Sequence, residues 1–410
     1  MRILSLFAFS FILISCSTPP ARLNSGIWRG VIEIQGQALP FTFEVEDQQD
    51  HPVVYLRNAS EKLALNEVSI TDDSVTMVLH IFDAELRAKI EGNVLHGYYF
   101  KNYDTSFKQP FNATYGDDYR FEKTNDRVTT DFSGKYSVQF ISDKKDTTVS
   151  VGIFSQQGNH MEGTFLTPIG DYRYLEGNVV EGKMMLSTFD GNHAFVFSAS
   201  RDEQGNLSGD YWSGKSAHET WSAVKNDHAV MPDAESLTYL KKGYEKIDFH
   251  FPDIDKNMVS PKDEKYKNKV LIVQIFGTWC PNCMDETKFL SQWYKDNRER
   301  GVEVLGLAYE RKDDFEYASS RIRKMKDKLG VDYDFVIAGV NDKKKASETL
   351  PMLNQVFAFP TTLFIGRDGK VKHIRTGFEG PGTGIYYDQF RQRFNEIVNE
   401  LLDEKIASVR

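Results

Sequence analysis

The sequence predicts a multidomain protein: two tandem all-β units, each a small antiparallel barrel or sandwich, followed by an α/β domain on a mixed central sheet. Three observations lead there. From about residue 25 to 225 the chain is a series of short stretches rich in β-branched and aromatic residues. They alternate partially and are cut by turn signals such as Glu91-Gly92-Asn93 and Gln204-Gly205-Asn206. That half carries a weak internal repeat: "SGIWRGVIEI" from Ser25 matches "SGKYSVQFIS" from Ser133, and "EGNVLHGYYF" from Glu91 matches "QGNLSGDYWS" from Gln204. After residue 246 strands alternate with helical periodicity, the pattern of a sheet covered on both faces.

The first element is a leader. The chain opens "MRILSLFAFSFILISCSTPP": Arg2 is a short positive region, Ile3 to Ile14 is an almost unbroken apolar run, and small Ser15 precedes Cys16. That length suits a secretory signal and falls short of the ~20 apolar residues that span a bilayer. Leu13-Ile14-Ser15-Cys16 resembles a bacterial lipobox. The resemblance implies a signal peptide over residues 1–15 and lipid on Cys16, an anchor to which each buried methylene contributes about 0.8 kcal/mol. Ser17 in place of Asp points, by analogy, to the outer membrane. The expected location is the cell envelope, lipid-anchored and facing the periplasm, where disulfides persist. A net charge of −9 gives no basic footprint and excludes nucleic acid as a partner.

Residues 25–118 and 130–225 are the two β units, on a period of about 110 residues that suggests duplicated domains rather than a solenoid. Each starts and ends on strands carrying an aromatic after Gly. Closing such a meander joins its first strand to its last and removes exposed edges. One larger two-lobed β domain is the alternative. Trp28, Tyr98, Tyr99, Trp212 and Trp221 are expected to fill the interiors rather than to line a ligand cleft. His160, His193 and His218 are scattered and expected at the surface, and no metal or nucleophile constellation stands out in this half. Residues 226–246 have few strand signals, with a turn or short helix at Pro232-Asp233, and read as a linker.

The α/β domain takes residues 247–410. "KVLIVQIF", from Lys269 to Phe276, suits a parallel strand buried on both faces. A helix follows, with Met284, Phe289, Leu290, Trp293 and Tyr294 on its apolar side and Pro281 in its first turn. "VEVLGLA" from Val302 is a second buried strand. "DFEYASSRIRKMKDKLG" from Asp314 is a helix stopped by Gly330, with Asp313 and Asp314 at its solvated start. "YDFVIAG" from Tyr333 is a third strand, and Lys343 to Asn354 is expected to be helical. "PTTLFIG", "RDGK" and "VKHIRTGF" form a hairpin on an Asp-Gly turn, and "IYYDQFRQRFNEIVNELL" closes the domain as an amphipathic helix.

Two of the three cysteines, Cys280 and Cys283, stand where the buried strand meets that helix. Free helix N–H groups and the positive dipole end favour an anion there. A thiolate is such an anion, so Cys280 is expected below the ordinary thiol value of about 8.5. Cys283 is three residues on, close enough for a disulfide. Cys280 is expected as the exposed attacking thiol and Cys283 as the buried resolving one, releasing a mixed disulfide formed on Cys280. A structural zinc site needs about four ligands. Here no second CxxC or spaced His pair exists, and only His373 follows the motif, so no metal and no cofactor beyond the redox-active disulfide are expected.

"GTWCPNC", then Glu286, then "FAFPTTLFIGRDGKV" resemble the thioredoxin-like TlpA/ResA group of extracytoplasmic thiol–disulfide oxidoreductases, over roughly the last 160 residues. The resemblance implies a thioredoxin-like fold whose N-terminal hairpin is "IDFHFPDID". It implies that Pro360 is a cis-proline facing the cysteines, pinning a substrate strand and keeping metal off the thiols. Phe359, with Thr361 on the other side of Pro360, would then belong to the substrate-docking strand. Trp279 would shield the disulfide and shape the docking surface. Glu286 would shuttle the resolving thiol's proton or raise the thiol pKa; as a first-turn acid it is also favoured by the dipole alone. Gln274 stands where thioredoxin has a buried acid, and Glu286 compensates in this reading.

The function implied is an envelope-anchored enzyme that reduces disulfides of extracytoplasmic cysteine-containing proteins, supplied with electrons by a membrane thiol–disulfide donor. A different class stays open: a ligand-binding or scaffold lipoprotein whose β units carry the main function beside a subordinate redox domain. A peroxidase fits poorly, since the thiols pair in a CxxC instead of standing as an isolated peroxidatic Cys.

Overall fold

A computed structural model describes residues 22–48, 51–65, 67–123 and 130–404. The leader and Cys16 lie outside the described residues. Each β unit has nine strands in a consecutive antiparallel arrangement. In the first, strand Gly26–Ile34 pairs with both Gln37–Gln48 and the last strand, Asp104–Tyr115, so that Trp28 lies opposite Phe43 on one side and Tyr115 on the other. Its residues Trp28, Gly30, Ile32 and Ile34 all point inward, the period-two pattern of a half-buried strand. Among the described residues no pairing joins Glu61–Leu65 to Val68–Thr71, so this sheet keeps a seam there.

The second unit does close. Thr147–Gln157 pairs with His160–Thr167, and the last strand, Ala217–Lys225, returns to the first, Gly134–Ser142. Aromatic rings fill it: Phe140 meets Phe165 at 5.1 Å and Phe197 stacks on Tyr211 at 4.5 Å. The repeat is real in three dimensions. Both matched "GN" segments precede a penultimate strand, Val94–Lys101 and Leu207–Ser213. Trp28 donates its indole N–H to the Asn24 carbonyl at 2.8 Å, and Tyr136, one period later, donates its hydroxyl to the Phe132 carbonyl at 3.1 Å.

Trp28, Tyr99 and Trp221 are buried as expected. Tyr98 is not; it is 41% exposed, because neighbours in a strand face opposite sides of the sheet and Tyr99 takes the inner one. Trp212 is half-buried against the core of the first unit instead of its own. His193, expected at the surface, is largely covered, with Nδ1 3.0 Å from Asp190. The two units share a core: Phe189 of the second packs against Phe41 at 4.7 Å and Tyr99 at 5.0 Å in the first. Between them, buried Arg120 donates to Glu176 and to the Arg57 carbonyl, both at 2.6 Å.

Residues 226–246 lie along the α/β domain. Thr376 N–H donates to the Ala234 carbonyl, Lys241 N–H to Met352, and Val371 N–H to Glu245. The central sheet of that domain has five strands, β1 (Val270–Phe276), β2 (Val302–Glu310), β3 (Asp334–Val340), β4 (Thr361–Ile365) and β5 (Val371–Thr376), in the order β3-β2-β1-β4-β5. The first three are parallel, β4 is antiparallel to β1, and β5 is antiparallel to β4, the mixed sheet of a thioredoxin-like fold. Its helices are α1 (Pro281–Asn297), α2 (Phe315–Leu329), α3 (Lys343–Thr349) and α4 (Ile385–Asp403).

All seven residues of β1 are buried. Asp314 caps α2 by accepting from Tyr317 N–H, and Gly330 ends it at φ 59°. The expected hairpin before β1 is present as Phe251–Pro252 against Met258–Val259. Helix α3 stops short of Asn354: Leu350 precedes Pro351, and a residue before proline is pushed out of the helical region.

Candidate active site

Strand β1 delivers the chain to Gly277 in the middle of the sheet. A Cβ there would lie 2.1 Å from Trp279 Nε1 and 2.6 Å from the Tyr309 carbonyl, so only Gly lets the Trp279 indole fold back and donate to that carbonyl at 2.8 Å. Thr278 is fixed by Glu310 at the end of β2, whose carboxylate accepts its N–H and its hydroxyl, both at 2.8 Å. Burial raises the Glu310 carboxyl above its ordinary range, and the two Thr278 bonds oppose that shift.

Cys280 is the N-cap of α1 and Pro281 its first residue. The Cys280 sulfur accepts the Cys283 N–H at 3.2 Å, as an N-cap oxygen would. A disulfide joins Cys280 and Cys283, with their Cα atoms 5.2 Å apart. Cys283 is fully buried, as expected. Cys280 was expected exposed but is only 6% so: its sulfur lies beside the Phe359 carbonyl, and the β units hold its neighbours Trp279, Pro281 and Asn282.

The peptide between Phe359 and Pro360 is cis, and the Phe359 carbonyl oxygen is 3.5 Å from Cys280 Sγ. The Phe359 ring meets the half-buried Trp279 edge-on at 5.5 Å. Thr361 is fully buried and its hydroxyl turns back to the Ala358 carbonyl at 2.8 Å, so its side chain holds the loop instead of facing an incoming chain.

Glu286 lies one helical turn beyond Cys283 and is 1% exposed. Its carboxylate accepts from Gln274 Nε2 and from the Thr362 hydroxyl, each at 2.8 Å. Gln274 Nε2 also lies 3.4 Å from the Cys283 carbonyl, linking the acid to the helix turn that holds the sulfur. Desolvation pushes Glu286 up to about 7, and the hydrogen bonds only partly offset it. The structure thus brings Cys280, Cys283, Glu286, Trp279, Phe359 and Pro360 together at one end of the sheet.

Sequence reasoning missed the residues that reach this site from elsewhere. Asn192, in a loop of the second β unit, donates to the Trp279 carbonyl at 3.1 Å. Asn282, between the cysteines, donates to the Asp171 carbonyl at 3.0 Å. Arg311 stacks over Tyr103 of the first unit at 3.8 Å and over Trp279 at 5.5 Å. Asn282 stood in view inside the CxxC motif without its partner, whereas Asn192 and Arg311 have no local motif.

A disulfide at a helix N-cap, facing a cis-proline loop at the end of a mixed thioredoxin-like sheet, defines a thioredoxin-fold thiol–disulfide domain. Residues 243–374 match the AhpC/TSA family. The thiol-disulfide oxidoreductase ResA of Geobacillus thermodenitrificans (strain NG80-2) is 27% identical over 112 residues, 27% of this chain and 57% of that protein. ResA of Bacillus subtilis (strain 168) is 23% identical over 150 residues, 37% of this chain and 74% of that protein. The match thus spans little more than half the length of the first of these relatives. Among solved structures, a thiol:disulfide interchange protein of the thioredoxin family from Chlorobium tepidum TLS is 20% identical, covering 40% of this chain and 98% of that one at a TM-score of 0.30. A secreted thiol-disulfide isomerase from Corynebacterium glutamicum is 16% identical, covering 43% and 97% at a TM-score of 0.32.

Proposed function

We propose that this protein is an envelope-anchored thiol–disulfide oxidoreductase that reduces disulfides of extracytoplasmic proteins. The observation that carries the reading is the Cys280–Cys283 bond at the N-cap of α1, with the Cys283 N–H directed at the Cys280 sulfur. That donor and the helix dipole favour negative charge on Cys280 once the bond is reduced.

The cycle begins with the dithiol. The Cys280 thiolate attacks one sulfur of a substrate disulfide; a mixed disulfide forms and the other substrate sulfur leaves as a thiolate. Cys283, deprotonated, attacks Cys280 Sγ; the Cys280–Cys283 bond forms and the second substrate thiolate leaves. Two electrons pass to the substrate. Glu286 accepts the Cys283 proton, a task suited to a buried carboxyl near 7. Pro360 and Phe359 hold the substrate strand beside Cys280, and Trp279 forms the adjoining wall. A membrane dithiol donor returns two electrons and restores the thiols.

The lipid anchor at Cys16 rests on the lipobox-like segment, and the reducing direction on the resemblance to anchored members of the group. Couples of this type run from about −270 to −120 mV, so direction is open to measurement. The test is reduction of insulin by the chain in the presence of dithiothreitol. Wild type accelerates the reaction, and Cys280→Ser returns it to the uncatalysed rate. Equal rates for the two would refute the proposal.

A further inference from the structure

A buried charge cluster lies behind the disulfide, where the second β unit meets α1. At its centre is Arg173, 4% exposed, in the turn after the short strand Gly170–Asp171. Its guanidinium is ion-paired to Glu61 of the first unit, to Asp285 of α1 and, through Nε at 3.2 Å, to Asp190 of the second unit. Its Nη1 also donates to the Pro281 carbonyl at 3.3 Å. Two residues earlier, the Asp171 carboxylate accepts the Gly380 N–H at 2.6 Å, from the loop after β5, while its carbonyl takes Asn282. Both residues between the cysteines are therefore held by one segment of a different domain. Around Arg173 stand four carboxylates, Glu61, Asp171, Asp190 and Asp285, with His193 against Asp190 and Lys288 3.5 Å from Asp285.

A buried charge is retained only where partners offset its desolvation. Here the carboxylates do so for the cation, and the cation does so for them. Their shared location matters because the disulfide is neutral, whereas the reduced pair carries thiolate on Cys280 in the same helical turn. Charge near that turn acts on the reduced state alone.

We propose that Arg173, in the second β unit, is a positioning residue of the redox centre: it clamps the first turn of α1 and its charge sets the reduction potential of the Cys280–Cys283 pair. The proposal rests on the redox reading given above. Without Arg173 the carboxylates face the Cys280 turn unopposed, the thiolate is disfavoured, and the equilibrium moves toward disulfide.

The test equilibrates the full chain with reduced and oxidised glutathione, alkylates free thiols, and quantifies the Cys280–Cys283 peptide by mass spectrometry. Arg173→Met is expected to shift the equilibrium constant about tenfold toward disulfide, or about 30 mV more reducing. Arg173→Lys keeps the charge and is expected to stay within about threefold of wild type. Asp285→Asn removes one carboxylate and is expected to shift the constant the opposite way, and Arg173→Met with Asp285→Asn to return toward wild type. If Arg173→Met does not fold, Asp285→Asn decides alone. A folded Arg173→Met at the wild-type value, equal shifts for Met and Lys, or no shift in Asp285→Asn would overturn the proposal. A wild-type chain with no couple at all would instead sink the oxidoreductase reading.

Discussion

Replacing Glu286 by Gln gives a sharp prediction because one buried group changes charge with little change in shape. In the folded protein Glu286 keeps its proton up to about pH 7, whereas the unfolded chain releases it near the ordinary value of 4.5. Between those limits the folded state binds more protons, so stability falls as pH rises. The penalty is absent below about pH 4.5 and complete above about pH 7. A gap of that size, at 1.36 kcal/mol per unit, makes it about 3 kcal/mol. Gln cannot ionise and escapes this cost. It keeps an acceptor for the Thr362 hydroxyl but turns an amide toward Gln274 Nε2, a loss of about 1 kcal/mol at every pH. Asp171, also raised to about 7, titrates in the same window in both proteins and cancels in the comparison. The assay is guanidinium unfolding of the oxidised protein at pH 5 and pH 8, the disulfide keeping both thiols from titrating. At pH 5 the penalty has reached roughly 1 kcal/mol and offsets the lost bond, so Glu286→Gln is expected to match wild type to within about 0.5 kcal/mol there and to be about 2 kcal/mol more stable at pH 8. Parallel pH dependences for the two proteins would refute a buried, raised carboxyl at this position.

Cys283→Ser leaves the attacking thiol without its resolving partner, so incubation with an oxidised substrate is expected to accumulate a mixed disulfide on Cys280, read as a mass increment absent from Cys280→Ser. Glu310→Ala strips the acceptors from the Thr278 N–H and hydroxyl; two unsatisfied buried donors cost about 1–3 kcal/mol each, measured as a lower guanidinium midpoint. Gly170→Ala forces a side chain to φ 141° with its Cβ 2.2 Å from Asn282 Nδ2. It is expected to cost about 1–3 kcal/mol and to speed alkylation of reduced Cys280 as the β unit lifts from α1.

Much of this fold was legible because its signals are local. The apolar run of β1, the Asp314 cap, the Gly330 stop and the Asp-Gly hairpin each act within a few residues and need no distant partner. The CxxC at a strand–helix junction is equally local, and it disclosed the disulfide and its place at the helix N-terminus. The repeat disclosed two β units of matching strand order. It did not disclose that the second closes and the first keeps a seam, nor that Phe189 serves the core of its neighbour. What stayed hidden depends on long-range docking. Arg173 and Asp285 are 112 residues apart, and Asn192 is 87 residues from the Trp279 carbonyl. Neither contact has a sequence pattern, and both tie the second β unit to the segment that carries Cys280. Glu310 was hidden differently: in a run of charged residues, a buried acid looks like its solvated neighbours.

Everything proposed for this protein rests on Cys280 and Cys283 forming one reversible two-electron couple. The direct measurement is a redox titration of the wild-type chain in graded dithiothreitol buffers, followed by alkylation and mass analysis of the two cysteines. A reductase is expected to show a single two-electron transition toward the thioredoxin value of about −270 mV, both thiols appearing together. Thiols that stay free at every potential, or that alkylate independently of one another, would contradict it.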